Sequence, residues 1–289
     1  MGVDTHVLRL LTESRKRGLS FRSTMMIGRQ TYCQLKASDL RDAVNITNED
    51  ASELFDQHFI EPLLQRLGAS RIESLDNSTY EQATIIHDLN QPIPEHLKLS
   101  FSCVFDGGAT EHVFNFPQAI KNCMEMVAVN GHFLGVTAAN NFMGHGFYQL
   151  SPELYYRVFS AQNGYVVEDM LLCETDPGAP WYRVTDPEVL GRRVELINNR
   201  PTYIMVIARK VAEAKIFEAT PQQSDYVSLW GPDPALVAPR PHSSTAPRPH
   251  SCTVRSVLAP LIPGIIKKQL KRLVNGRSDA FQSDSFRRV

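Results

Sequence analysis

"RIESLDNSTYEQATIIHDLNQPIPEHLKLSFSCVFDGG", residues 71–108, holds the apolar runs RIESL, ATIIH and FSCVF, which run into or lie just before Asp76, Asp88 and Asp106. Short apolar runs bounded by turn residues read as buried strands. Upstream, Ser23–Ile27 (STMMI), closed by Gly28, reads as a strand before these three. Between them, Asp50–Leu67 sets Leu54, Phe55, Phe59, Leu63, Leu64 and Leu67 at helical spacing, with Gly68 as a stop and Pro62 as the source of a kink. Downstream, Pro117–Val129 reads as a helix with proline in its first turn, 131–139 (GHFLGVTAA) as a strand, and 151–159 (SPELYYRVF) as a helix opened by Ser151. Val166–Leu172 and Thr202–Ala208 complete the strands. Helices alternating with near-continuous apolar strands predict an α/β, doubly wound, mostly parallel sheet covered on both faces.

This domain is expected over residues 21–212, after an N-terminal extension at 1–20. A Pro-rich linker is expected at 213–252, where APRPHS occurs at 238–243 and again at 246–251. Residues 253–289 are expected to form a basic amphipathic helix and tail. Within Ser256–Arg277, Ile265, Ile266, Leu270, Leu273 and Val274 share a helical face, with Lys267, Lys268, Lys271 and Arg272 between them. Such a helix suits peripheral contact with an anionic membrane face or with a protein partner, or packing back on the domain.

The 289-residue chain is 43% hydrophobic and 21% charged, with 30 basic against 31 acidic residues, so charge alone does not point to nucleic acid. Its five cysteines show no CxxC or Cys/His ligand spacing, which argues against a zinc site or a disulfide framework and fits a reducing cytoplasm. The opening MGVDTHVLRLLTESRKRG lacks the apolar core of a secretory signal, and no run of 18 apolar residues occurs.

In parallel sheets ligands lie beyond the carboxyl ends of the strands. Asp76, after the second strand, can accept both ribose hydroxyls of a nucleotide cofactor. Asp88, after the third, can meet an adenine amino group. Gly107 and Gly108 beside Asp106 let backbone approach a ligand without Cβ interference. Each aspartate taken alone is more often a turn former or helix cap; three in succession on one α/β pattern favour a site.

The stretches SLDNSTYEQATIIHDLNQPIP and FSCVFDGGATEHVFNFPQAIKNCMEMVAVNGHFLGVTAANN, at 74–94 and 101–141, resemble the middle of a class I S-adenosylmethionine-dependent methyltransferase. The resemblance runs from Ser23 to about Arg209 and is nearest to small-molecule enzymes of bacterial biosynthetic and glycan clusters. It implies a Rossmann-like, seven-stranded sheet and S-adenosylmethionine as cofactor. It also implies that Asp76 holds the ribose, that Asp88 sits near adenine, and that Glu111, His112 and Val113 line the methionine end. Asp106, Gly107 and Gly108 would form the loop beneath the cofactor. The family's first strand ends in a glycine-rich loop, whereas MMIGRQTY at 25–32 offers only Gly28, and the interval to Asp76 is longer than usual.

Methyl transfer from a sulfonium needs alignment and exclusion of water, and an oxygen acceptor profits from a histidine base. His145 and His112 are the expected bases, although a histidine in either place is more often one bonded to nearby backbone. Asn140, Asn141, Tyr148 and Gln149, on a loop bent at Gly144 and Gly146, are the expected acceptor wall. Phe142, Phe147 or Tyr148 can face the sulfonium by cation–π attraction. The expected function is methyl transfer to a small-molecule or sugar-derived acceptor; the alternative is a non-catalytic binding or scaffold protein of the same fold. A nicotinamide oxidoreductase would need a GxGxxG turn after the first strand, which the sequence does not supply. Asp106, Glu111, His112 and His145 match no known ligand spacing, so no metal is expected.

Overall fold

The computed structural model describes residues 2–230, 281 and 283–289. The strands are β1 (Ser23–Ile27), β2 (Arg71–Asp76), β3 (Ile85–Ile86), β4 (Phe101–Asp106), β5 (Val127–Asn140), β6 (Tyr165–Glu174), β7 (Tyr182–Val184), β8 (Thr202–Lys210) and β9 (Phe286–Arg288). They form one nine-stranded sheet in the order 3-2-1-4-5-8-6-7-9. Strands β3, β2, β1, β4 and β5 pair in parallel, and from β8 outward every pairing is antiparallel. The sheet is therefore mixed, and it exceeds the expected seven strands. The surplus lies in β7 and β9, three-residue strands too short to stand out as apolar runs.

Alternate residues of the strands enter opposite layers, as the period of two requires. Met25, Ile27, Leu75 and Val104 pack with Ile120 and Met124 of α5 (Phe116–Met126) and Tyr155 of α6 (Pro152–Val158). Met26, Cys103, Phe105 and Leu134 pack on the other face against α1 (Thr5–Lys16), α2 (Ala37–Val44), α3 (Asn48–Asp56) and α4 (Glu61–Arg66). Both faces are covered, which is the doubly wound arrangement.

Three local expectations need correction. Residues 1–20 are not an extension apart from the domain. Asp4 caps α1 by accepting from the His6 and Val7 N–H groups, and Val7, Leu8, Leu10 and Leu11 are buried in the second layer. The helix expected over Asp50–Leu67 is two helices, α3 and α4. The chain opens between them to let Ile60 N–H reach the Gln30 carbonyl at 3.1 Å, and Pro62 falls in the first turn of α4, where no N–H is needed. Residues 213–230 are not all linker, because Ile216 is buried and α7 (Pro187–Leu190) and α8 (Ser224–Trp230) adjoin. Arg193 also pairs with Asp225 of α8 at 2.7 Å. The remaining Pro-rich stretch and the amphipathic segment Ser256–Arg277 lie outside the described residues. Among the described residues no helix is long and apolar enough to cross a membrane.

The chain leaves β1 for β2 and β3, then crosses back to place β4 on the other side of β1. That reversal opens a crevice at the carboxyl ends of β1 and β4, where open α/β sheets take their ligands.

Candidate functional site

A cleft of about 370 Å³ occupies this crevice, and Gly28, Asp76, Asp88, Gly108 and His112 all line it. The volume is that of an ordinary small-molecule site. Gly28, at φ +68°, follows β1 in the left-handed region and donates its N–H to Leu75 O at 2.8 Å. A Cβ there would lie 3.4 Å from Gln30 Nε2, 3.6 Å from Ala109 Cβ and 4.0 Å from Asp76 Oδ2, none of them a clash, so the backbone conformation is what calls for glycine. Asp76 Oδ1 accepts the Ser78 N–H at 3.1 Å, with Oδ2 on the Gly28 side. Asp88 Oδ1 accepts the Asn90 N–H at 2.9 Å and its side-chain amide at 2.7 Å, and these bonds hold the carboxyl below its usual range. The strand before Asp88 is only two residues long, because Thr84 and Ser74 bond to each other's backbone through their side chains.

The glycine-poor first loop is filled by its own side chains. Arg29 pairs with Glu61 at 2.6 Å, donates to Glu81 O at 3.1 Å and lies 3.7 Å over the Phe59 ring. Gln30 is almost fully buried and donates its amide to Ile27 O at 2.9 Å. Neither Arg29 nor Gln30 was expected to shape the cleft, nor were Asn77, Glu81 and His87, which also line it. A long-range partner such as Glu61 gives no local signal in the sequence.

Asp106 and Gly107 do not face the cleft. Asp106 is fully buried, and its Oδ1 accepts the N–H groups of Gly108, Ala109 and Thr110 at 3.1, 2.8 and 3.4 Å, while Oδ2 accepts the Thr110 hydroxyl. Burial raises this carboxyl and the hydrogen bonds pull it back. The residue therefore shapes the loop after β4 from below.

Glu111 and His112 sit on the 3₁₀ turn Thr110–His112 that this loop leads into. Glu111 is wholly buried, and neither carboxylate oxygen has a hydrogen-bond partner. Burial, reinforced by Asp106, pushes its carboxyl up to about 8. The Glu111 and Ala138 N–H groups pull the other way, without making a hydrogen bond to either oxygen. His145 Nε2 lies 3.5 Å from Glu111 Oε1, and the His145 and His112 rings meet edge to face with centroids 4.7 Å apart. Desolvation lowers the pKa of both imidazoles, with a further repulsive contribution from His112 at His145. The two expected bases are thus adjacent, with His112 on the cleft and His145 behind it.

The loop carrying His145 is tied down on Glu111. Its carbonyl accepts the Phe147 and Tyr148 N–H groups at 2.9 and 3.3 Å. The expected acceptor wall is largely spent on holding this loop. Asn140 and Asn141 both donate to Asn198 Oδ1 at 2.8 Å, Gln149 Oε1 accepts the Phe142 N–H at 2.9 Å, and the Tyr148 hydroxyl donates to Phe114 O at 2.6 Å. Phe142 stacks on Tyr203. Phe147 is exposed and edge-on to exposed Phe114, and Met143 on the same loop is exposed as well.

No family model and no curated protein sequence matches the chain. Solved structures similar to it include a branched-chain polyamine synthase from Thermus thermophilus, in complex with N4-aminopropylspermidine and 5′-methylthioadenosine. That alignment has 11% identity and a TM-score of 0.39, covering 75% of this chain and 58% of that one. A geranyl diphosphate methyltransferase in complex with S-adenosylmethionine aligns at 11% identity and TM-score 0.39, over 72% of this chain and 85% of that one. An S-adenosylmethionine-dependent methyltransferase from Mesorhizobium loti aligns at 14% identity and TM-score 0.37, over 71% and 98%. The chain thus spans less than two thirds of the polyamine synthase, and all three alignments are distant.

Proposed function

We propose that this cleft binds S-adenosylmethionine and that the protein transfers its methyl group to a small-molecule or sugar-derived acceptor. The observation that carries the reading is the cleft at the β1/β4 reversal, where the Asp76 carboxylate stands beside the left-handed turn at Gly28. A carboxylate at the end of β2 suits a ribose diol, and the bare backbone at Gly28 and Gly108 suits close approach of a ligand. When bound, the cofactor supplies an electrophilic methyl group on a sulfonium. Asp76 orients the nucleoside end, and Asp88, fixed by Asn90, borders the adenine side. His112, with His145 behind it, meets the acceptor at the other end, where exposed Phe114 and Phe147 offer an apolar surface.

A second reading, a non-catalytic binding protein of the same fold, is favoured by the first loop, where Arg29 and Gln30 are spent on protein partners. Calorimetric titration with S-adenosylhomocysteine separates the two. Binding is expected, with Asp76→Ala weakening it more than tenfold while the thermal midpoint stays put. Lack of binding at millimolar cofactor would remove the enzyme reading, and unchanged affinity in the variant would remove the role given to Asp76.

A further inference from the structure

Glu111, His112 and His145 each offer one ligand atom, and these atoms lie within 4.8 Å of one another. We propose that they form a binding site for a first-row divalent transition-metal ion at the inner end of the cleft, open on one side to an oxygen ligand of the acceptor.

The buried carboxylate points to a cation first. Glu111 has no exposure, and both its oxygens lack hydrogen-bond partners, as does His145 Nε2. Buried polar atoms are almost always partnered, and those that are not mark a missing ligand or a functional group. Here unpartnered atoms of two residues face each other at 3.5 Å, within contact but outside hydrogen-bonding geometry. In a tetrahedral site with metal–ligand bonds of about 2.0–2.1 Å, neighbouring ligand atoms stand about 3.3 Å apart. Glu111 and His145 therefore need to move by only a few tenths of an ångström. His112, exposed and edge-on to His145, can complete the set by side-chain rotation.

The supports are rigid where a metal site needs them to be. Asp106 pins the turn bearing Glu111 and His112 from below through its bonds to Gly108, Ala109 and Thr110. The Glu111 carbonyl pins the His145 loop through Phe147 N–H. Gly146 passes so close that a Cβ would lie 2.9 Å from that carbonyl oxygen. Two imidazoles and one carboxylate suit zinc, iron, cobalt or nickel, whereas magnesium and calcium prefer all-oxygen shells. Three protein ligands leave a coordination position vacant, and His112 places it beside the cleft.

The ion site stands on its own geometry, whereas its use as an anchor for the acceptor rests on the methyl-transfer reading. It specifies acceptors that present a hydroxyl or carboxylate oxygen. A hydroxyl bound to the ion is acidified and releases its proton to water. His112 and His145 then serve as ligands, which replaces the base role expected from the sequence.

The test uses full-length, chelator-stripped protein titrated with zinc against a chromophoric competitor, with cobalt as a spectroscopic probe. The expected result is one zinc per chain and visible cobalt absorption, with affinity falling at least 100-fold in Glu111→Gln and His145→Ala. His112→Ala, at an exposed side chain, should weaken zinc at least tenfold and keeps the test valid where the buried variants fail to fold. Zinc binding that is absent, or equal in wild type and His112→Ala, would overturn the site. S-adenosylhomocysteine titration of the same stripped protein reads the cleft separately. Zinc retained with no cofactor binding would sink methyl transfer and leave the ion site, whereas the reverse would sink the ion site alone.

Discussion

The side-chain oxygen of Gln30 lies 2.5 Å from the point a Cβ on Gly107 would occupy. The first loop and the loop after β4 therefore interlock, and Gly107 is small to admit Gln30. Gly107→Ala should destabilise the protein by about 1–3 kcal/mol, the usual cost of overpacking. Adding Gln30→Ala should recover part of the loss, so thermal or urea melts of the singles and the double should show a coupling of opposite sign. Strictly additive losses would mean the two loops relax independently.

Asp106 separates the effect of its shape from that of its charge. Asp106→Ala strands the Gly108, Ala109 and Thr110 N–H groups and should cost about 3–5 kcal/mol. Asp106→Asn keeps one oxygen for those N–H groups and turns its amide toward the Thr110 hydroxyl, which can accept, so the loss should be about 1 kcal/mol. Denaturant midpoints of the two variants give the comparison directly.

Asp169 should matter more than either of its partners. Its buried carboxylate pairs with Arg17, just past α1, and with Arg183 on β7, both of which stay partly exposed. Asp169→Ala is expected to cost about 2–4 kcal/mol, whereas Arg17→Ala leaves Arg183 in place and should cost about 1 kcal/mol. Equal losses in urea unfolding would show that Arg183 does not compensate.

His132 gives the fold a pH dependence. Burial, with a contribution from Arg209, lowers its pKa despite Glu168 at 3.3 Å, and its Nδ1 has no partner. Above the unfolded value of about 6.5 both states are neutral and its full contribution is present. As pH falls below that value the unfolded chain takes the proton first, and stability is lost until the lower folded value is passed. Unfolding free energies of wild type and His132→Gln should diverge above pH 6.5 relative to pH 5, with the flatter profile in the variant.

The parallel half of the sheet was readable because each strand there is a separate apolar run. STMMI is β1 residue for residue, and RIESL and FSCVF, each with its aspartate, are β2 and β4. Gly28, Asp76 and Asp88 were readable as cleft residues because strand ends and ligand sites coincide in such sheets. Gly107 was assigned to a ligand because its neighbour in space, Gln30, is distant in sequence. The grouping of Glu111 and His112 with His145 was hidden for a related reason. It depends on β4 and β5 lying side by side, whereas sequence motifs detect ligands only at short, regular spacing. Helix α1 belongs to the core because its apolar face joins α2, α3 and α4 in the layer over that face of the sheet.

Pairing of Phe286–Arg288 with Tyr182–Val184 ties the far end of the chain into the sheet. A cleavage anywhere between 231 and 280 would turn β9 from a tethered strand into a separate ligand of β7. Removing that strand would shift the open edge of the sheet from β9 to β7. Residues 286–288 therefore form the outer edge of the sheet, and β7 is paired on both sides.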